Sequence, residues 1–92
     1  MTEPAHVLVV CTANVCRSPL GQVLIDGVAQ RHVGPGILDV TSAGVLARPG
    51  DPAADESQRI AKGWGLDLSE HRSRRLAREM VVASDLVITM GV

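Results

Sequence analysis

Three short apolar runs along the chain predict β-strands. The first, from His6 to Cys11, is continuous, rich in β-branched residues and too short for a helix of ordinary length. A continuous apolar run of this kind indicates a strand buried on both faces, as in a parallel sheet. Two further strands are expected at residues 37–43 and 85–90.

The stretch between the first two of these runs has the spacing of an amphipathic helix. Ser18 and Pro19 predict its start, because serine is a favoured N-cap and proline fits the first helical position. Gly34-Pro35-Gly36 predicts its end. Its apolar residues recur at helical intervals. The packed face is expected to consist of Leu20, Val23, Leu24, Gly27 and Val28.

Two more helices are predicted farther along the chain. Asp51-Pro52 repeats the combination of cap and proline, and the helix that follows is expected to end at Gly63 or Gly65. A shorter helix lies near residues 77–83. The order strand, helix, strand, helix, strand predicts an α/β fold with a parallel sheet. No linker divides the sequence, so residues 1–92 are expected to form one domain.

The composition excludes several classes of protein. Of the 92 residues, 46% are apolar, which is ordinary for a globular domain. The net charge is −1, so the chain lacks the excess of basic residues that is typical of a nucleic-acid-binding protein. No apolar run is long enough to cross a membrane, and no secretory signal is visible, so a cytoplasmic protein is expected. Two cysteines in one loop do not form a disulfide framework or a tetrahedral metal site, and no cofactor is expected.

The loop after the first predicted strand carries the candidate chemistry. Cys11 ends the strand, and Arg17 stands just before the predicted start of the helix. The N–H groups of a first helical turn favour an anion, and the guanidinium of Arg17 matches two oxygens of a tetrahedral anion. The same positive field lowers the pKa of a thiol, so Cys11 is expected to be an ionised nucleophile. The predicted reaction is phosphoryl transfer to sulfur, followed by hydrolysis.

The stretch Val9–Leu20 resembles the Cys-x5-Arg-Ser motif of the low-molecular-weight protein tyrosine phosphatases. The resemblance continues in order through Ser42-Ala43-Gly44, Asp51-Pro52, Gly65–Ser69, His71–Arg74 and Ala83–Met90. It implies a three-layer, doubly wound parallel sheet and a phosphatase that acts through a cysteinyl-phosphate. The implied substrate is a phosphotyrosine protein or a small aryl or alkyl phosphate.

The resemblance also implies a role for each matching residue of the loop. Cys11 corresponds to the nucleophile, Arg17 to the arginine that binds phosphate and the transition state, and Ser18 to the hydroxyl that hydrogen-bonds the thiolate. Asn14 corresponds to the asparagine that holds the loop in shape. Cys16 matches a second cysteine that pairs reversibly with the nucleophile in many members, and packing beneath the loop is the alternative. The implied phosphate-binding residues are Thr12, Ala13, Asn14, Val15, Cys16 and Arg17.

Some parts of the family pattern have no counterpart in the sequence. Members continue beyond the strand at 85–90 with further helices, a fourth strand and a loop whose aspartate protonates the leaving oxygen. We therefore expect an incomplete domain, weakened hydrolysis and an exposed strand edge at 85–90 that self-associates. Asp51-Pro52 does not replace that acid, since it is assigned as a helix cap, and His71 is expected to stabilise the loop by a hydrogen bond. The stretch Val45–Arg48 also lacks the aromatic side chain of relatives.

Two alternative functions remain open on the sequence. A phosphate-binding module without turnover would have the same loop, and it would not need the missing acid. Arsenate reductase uses the same scaffold, but it needs further cysteines downstream, and none follows Cys16. Hydrolysis that is lost in Cys11→Ser would distinguish the phosphatase from the binding module.

Overall fold

The computed structural model describes residues 3–91, which form one small parallel sheet with helices on both faces. The elements in chain order are β1 (Ala5–Cys11), α1 (Arg17–His32), β2 (Leu38–Gly44), α2 (Asp55–Gly63), α3 (Arg78–Val82) and β3 (Leu86–Thr89). The strand order is β2-β1-β3, and both neighbours run parallel to β1. The predicted α/β fold with a parallel sheet is confirmed.

Strand β1 is central because both of its faces are apolar. Val7 and Val9 face the layer that contains α1, where Ile25 packs against them. Leu8 and Val10 face the opposite layer and meet Met80 of α3. Helix α2 packs beside α1 through a separate small cluster. This arrangement gives three layers, with the sheet between helices.

Ser18 is not the cap of the first helix, contrary to the prediction. Helix α1 begins at Arg17, Cys16 occupies the N-cap position, and no side chain caps the helix. Ser18 lies inside the first turn, fully buried, with its hydroxyl 2.9 Å from the Cys11 sulfur. The hydroxyl therefore contacts the thiol instead of a backbone N–H group of the helix.

The Asp51-Pro52 pair does not begin the second helix either. Helix α2 starts at Asp55, and its N-cap residue, Ala54, has φ and ψ of −58° and 146° and provides no side-chain cap. The backbone N–H of Asp51 donates to the Ser73 hydroxyl at 2.8 Å, and its carbonyl accepts from the Ser73 N–H at 2.7 Å. These long-range bonds hold residues 51–54 against the polar segment that follows α2, so the local capping signal is overridden.

The apolar face of α1 agrees with the predicted one only in part. Leu24 and Val28 are 40% and 50% exposed, whereas Ala29 is buried. The helix has two neighbours, because Ile25 packs on the sheet while Leu20 contacts the cluster beside α2. Leu20, Val23 and Gly27 of the predicted face therefore pack, and the contact of Ile25 with the sheet lies outside that face.

Strand β3 lies at the edge of the sheet. Within residues 3–91 it pairs with β1 alone, and Leu86 is 54% exposed. Its predicted edge position is confirmed. No helix among residues 3–91 combines the length and the apolar character needed to cross a bilayer.

Candidate active site

The candidate site lies in the loop between β1 and α1, at the carboxyl end of the central strand. Helices α1 and α3 lie on opposite faces of the sheet, with β1 between β2 and β3, and ligands of open parallel sheets bind at such a position. Gly44, at the end of β2, allows the loop to approach the sheet. A Cβ atom on Gly44 would lie 2.6 Å from the Thr12 carbonyl oxygen and 2.8 Å from the Asn14 nitrogen.

Asn14 holds the loop in shape from within. It is fully buried and has a φ of 59°, a left-handed conformation that asparagine tolerates better than most residues. Its side-chain nitrogen donates to the hydroxyls of Ser18 at 2.8 Å and Ser42 at 2.9 Å. Its side-chain oxygen accepts from the backbone N–H of Arg74 at 2.8 Å. The loop, α1, β2 and the segment before α3 are thereby joined through one side chain.

Two outer contacts support the same loop. The Nε2 atom of His71 lies 2.7 Å from the Asn14 carbonyl oxygen, as expected for a residue that stabilises the loop. The backbone N–H of Ala54 donates to the Val15 carbonyl at 2.8 Å. The stretch 51–54, assigned from sequence to a helix start, thus braces the loop.

The Cys11 thiol receives hydrogen bonds from several donors. Its sulfur lies 2.9 Å from the Ser18 hydroxyl and 3.3 Å from the Asn14 backbone nitrogen, which donates to it. Burial raises the pKa of Cys11, but the Ser18 hydroxyl and the N–H groups of the loop outweigh it, so the pKa lies below its ordinary value. The thiolate is favoured by the geometry, as a nucleophile at neutral pH requires.

A cavity of about 180 Å³ opens above this sulfur. It is lined by Cys11, Thr12, Ala13, Val15, Cys16, Arg17 and Gly91. The guanidinium of Arg17 is exposed and donates to the carbonyl of Gly91, just after β3. Larger grooves exist, one of about 670 Å³ beside α2, but no cysteine lines that groove. The chemistry of the lining, and not its volume, therefore locates the site.

The sequence from residue 6 to residue 92 matches the family model of the low molecular weight phosphotyrosine protein phosphatases. The chain belongs to this family. The resemblance noted in the loop motif is confirmed over almost the whole length of the sequence.

Individual relatives of this phosphatase family align over nearly all of the chain. The chain is 40% identical over 85 residues to the probable low molecular weight protein-tyrosine-phosphatase EpsP of Ralstonia solanacearum. The aligned residues cover 92% of this chain and 54% of that protein. The low molecular weight protein tyrosine phosphatase structure from T. tengcongensis superposes with a TM-score of 0.86 and 37% identity, covering 94% of this chain and 58% of that one. The structure of the YwlE arginine phosphatase from Geobacillus stearothermophilus superposes with a TM-score of 0.81 and 34% identity, covering 95% of this chain and 53% of that one. The chain spans about half the length of the curated relatives it matches.

The structure brings the candidate residues of the phosphatase motif together, although not all face the cavity. Asn14 and Ser18 are buried beneath the cavity, and Cys11, Arg17 and the rest of the loop line it. Cys16 is exposed, so the alternative that it packs beneath the loop is wrong. Within residues 3–91, no group of three or more His, Cys, Asp or Glu side chains is arranged to hold a metal.

Three residues of the loop's polar surroundings were missed by the sequence analysis. Ser42 and Gln22 extend the hydrogen bonds of Asn14 away from the cavity, and the backbone of Arg74 fixes the Asn14 amide. The parallel register pairs Val9 with Ser42, which brings the end of β2 beside the loop. The Ser42-Ala43-Gly44 segment carried a usable signal, because a small residue next to a buried loop permits close approach. Nothing local marks Gln22.

Proposed function

We propose that the protein hydrolyses phosphate monoesters through Cys11. The Cys11 thiolate attacks phosphorus, an S–P bond forms, and the P–O bond to the leaving group breaks. Arg17 and the loop N–H groups hold the other phosphate oxygens. Water then attacks phosphorus, the S–P bond breaks, and the Ser18 hydroxyl stabilises the departing thiolate. The observation that carries the proposal is the Cys11 sulfur between the Ser18 hydroxyl and the Asn14 N–H, at the floor of an arginine-lined cavity.

The leaving group is proposed to be a phenol, as in a phosphotyrosine protein or a small aryl phosphate. Among the described residues that line the cavity there is no carboxylate, so those residues fit best an ester whose leaving group needs little protonation. General-acid catalysis contributes about 10²–10⁴ in rate, and an aryl ester depends on it less than an alkyl ester does. The phosphoarginine substrate suggested by the name of the YwlE relative has a guanidinium leaving group, which a carboxylate would also help to recognise.

The test is hydrolysis of a series of phosphate esters by the 92-residue chain and its Cys11→Ser variant. We expect measurable release of phosphate from aryl esters, a steep dependence on the leaving group, and loss of the activity in Cys11→Ser. A phosphoarginine peptide is included as the competing substrate. Phosphate binding by a chain that releases no phosphate from any ester would instead establish a binding module.

We also propose that Cys16 protects the nucleophile under oxidation. Hydrogen peroxide converts the Cys11 thiolate to a sulfenic acid and releases hydroxide. The Cys16 thiol then attacks that sulfur, an S–S bond forms, and water leaves. Both thiols are free and line the same cavity. After peroxide treatment, dithiothreitol should restore the wild-type chain and fail to restore Cys16→Ser.

The exposed edge of β3 is proposed to pair with a second copy of the chain. Its outward backbone groups have no strand partner within the described residues, and Leu86 and Val87 are both exposed.

The compartment we propose is the reducing cytoplasm, because Cys11 must remain a thiol in order to react.

A further inference from the structure

A chain of hydrogen bonds leads from the active-site loop to the middle of helix α1. Asn14 donates to the Ser42 hydroxyl at 2.9 Å, and Ser42 donates to the Gln22 side-chain oxygen at 2.6 Å. Gln22 in turn donates to the Val40 carbonyl at 3.2 Å. Gln22 lies one helical turn beyond Ser18, and it has no place in the lining of the cavity above Cys11.

The donors of this chain can run in one direction only, because backbone groups fix both of its ends. The Val40 carbonyl only accepts, so the Gln22 nitrogen faces Val40 and its oxygen faces Ser42. The Ser42 proton is used on Gln22, and its oxygen accepts from Asn14. At the other end, the Arg74 N–H donates to the Asn14 side-chain oxygen, so the Asn14 nitrogen faces the two hydroxyls.

The consequence reaches the thiol through Ser18. The Ser18 oxygen accepts from the Asn14 nitrogen, which leaves the Ser18 proton for the Cys11 sulfur 2.9 Å away. A serine that donates stabilises a thiolate, whereas a serine that accepts stabilises a thiol. The orientation of the Ser18 hydroxyl thus depends on the Asn14 amide. The Arg74 N–H orients that amide, and the Ser42 hydroxyl, which Gln22 holds, helps to position it.

We propose that Gln22 is a positioning residue for Cys11: by holding the Ser42 hydroxyl, it steadies the Asn14 amide that keeps Ser18 a donor to the sulfur. Without the Gln22 oxygen, the Ser42 proton loses its acceptor, and the Ser42 oxygen is held less firmly against the Asn14 amide. The Arg74 N–H still orients that amide, but Asn14 is placed less firmly against Ser18. Weaker donation to the thiolate follows. The consequence for turnover rests on the proposed phosphatase function, but the consequence for the thiol does not.

The site of Gln22 allows it to be changed without altering the cavity above Cys11. Gln22 and Ser42 line a separate cavity of about 250 Å³, whose charged and titratable side chains are Glu70, His71, Arg72 and Arg74. Among the described residues that line the cavity above Cys11, the other charged or titratable side chains are those of Arg17 and Cys16. All these groups except Cys16 are kept in every variant below, so differences between pH profiles report the change at Gln22.

The experiment measures the rate of alkylation of Cys11 by iodoacetamide against pH. All variants carry Cys16→Ser, so that Cys11 is the one thiol. Gln22→Met keeps the length of the side chain and removes its oxygen. The matched control is Gln30→Met on the exposed part of the same helix, where the amide contacts only Asp26. We expect Gln22→Met to raise the alkylation midpoint by about half a pH unit, the size of one weakened hydrogen bond, and Gln30→Met to leave it unchanged.

A double-mutant cycle separates positioning from packing. Ser42→Ala should raise the midpoint by a similar amount, and adding Gln22→Met to it should change nothing further, because the chain is already interrupted. Additive shifts, or a folded Gln22→Met chain with an unchanged midpoint, would overturn the inference. If Gln22→Met does not fold, Gln22→Asn, whose shorter amide does not reach Ser42, gives the same expectation. Alkylation requires no ester hydrolysis, so a wild-type chain without phosphatase activity refutes the proposed function alone.

Discussion

The active-site loop and strand β3 differ in how completely their groups are partnered. Asn14 and Ser18 of the loop are fully buried, and no buried side-chain nitrogen or oxygen atom within residues 3–91 lacks a hydrogen-bond partner. Among the described residues, strand β3 pairs with β1 along one side, and its apolar Leu86 is more than half exposed. The loop is held by the chain itself, whereas the outer side of β3 is left open.

This difference indicates which properties depend on which region. The loop is fixed by contacts from β2, from residues 51–54 and from the segment that includes His71 and Arg74. None of these contacts involves β3. The nucleophile and its hydrogen bonds should therefore survive changes at the β3 edge, and association should change without effect on the thiol. In the part of the chain that the structure describes, the hydrogen bond from Arg17 to Gly91 joins the loop to the residues just after β3.

The largest expected effect is at Arg17, where the two regions meet. Arg17→Lys keeps the positive charge and loses the planar fork that matches two phosphate oxygens, so kcat/KM for an aryl phosphate should fall by about 10²–10³. The stability of the fold should be unchanged, because the side chain is exposed. Arg31→Lys, in the last turn of the same helix, is the matched control. Equal kinetics for the two variants would show that Arg17 does not bind the phosphate.

The next effect tests whether the loop carries the stability that its contacts suggest. Asn14→Ala removes the amide and places a less tolerant residue at a φ of 59°, so we expect a loss of about 2–3 kcal/mol, or roughly 10–20 °C in Tm. Asn14→Gly relieves the backbone but not the lost amide, and it should cost less. Leu86→Ala on β3 should cost below about 1 kcal/mol. Thermal unfolding followed by circular dichroism measures all three, and a Leu86→Ala chain as unstable as Asn14→Ala would refute the comparison.

The parts of the site that sequence could predict are those encoded locally. Cys11 and Arg17 lie in one loop between a recognisable strand and helix, so their spacing alone pointed to an oxyanion site. The function of Ser18 was implied by resemblance, while its local pattern gave the wrong structural role, because a buried hydroxyl beside the thiol and an N-cap look the same in sequence. Ser42 lies 28 residues from Asn14 and reaches it only through the parallel pairing of β1 with β2.

The fold shows the same limit. Strand positions were predicted to within a residue or two, although β3 is largely exposed and only β1 is a continuous buried run. The packed face of α1 was predicted only in part, because Leu24 and Val28 follow the helical period but the helix divides its contacts between the sheet and α2. The prediction that Asp51-Pro52 begins a helix was wrong for a related reason, because Asp51 bonds to Ser73, which is 22 residues away.

A smaller effect concerns association through the β3 edge. If two copies pair along β3, Leu86→Lys should lower the apparent mass toward that of a monomer at micromolar concentration, because a charge on the edge opposes strand pairing. Val33→Lys changes an equally exposed apolar residue at the end of α1 and should leave the mass unchanged. Light scattering measures both. A wild-type chain that is monomeric throughout this range would remove β3 as an interface, with no consequence for the loop.

The smallest effect is the dependence of stability on pH through Cys11. The pKa of Cys11 is lowered in the folded chain, since the Ser18 hydroxyl and loop N–H groups outweigh the opposing effect of burial, so folding favours the thiolate. The stability that this contributes is fully present above the unfolded pKa of about 8.5 and is lost as the pH falls through the lower, folded pKa. Because the thiol is only partly buried, solvent screening keeps the effect small. The Tm of the wild-type chain, relative to Cys11→Ser, should therefore rise between neutral pH and pH 9, and Ser18→Ala, which keeps the thiol but loses its side-chain donor, should flatten that rise. Parallel curves of Tm against pH for the wild-type and Cys11→Ser chains would mean that the loop does not favour the thiolate. The active-site loop and strand β3 would then differ in packing and hydrogen bonding alone.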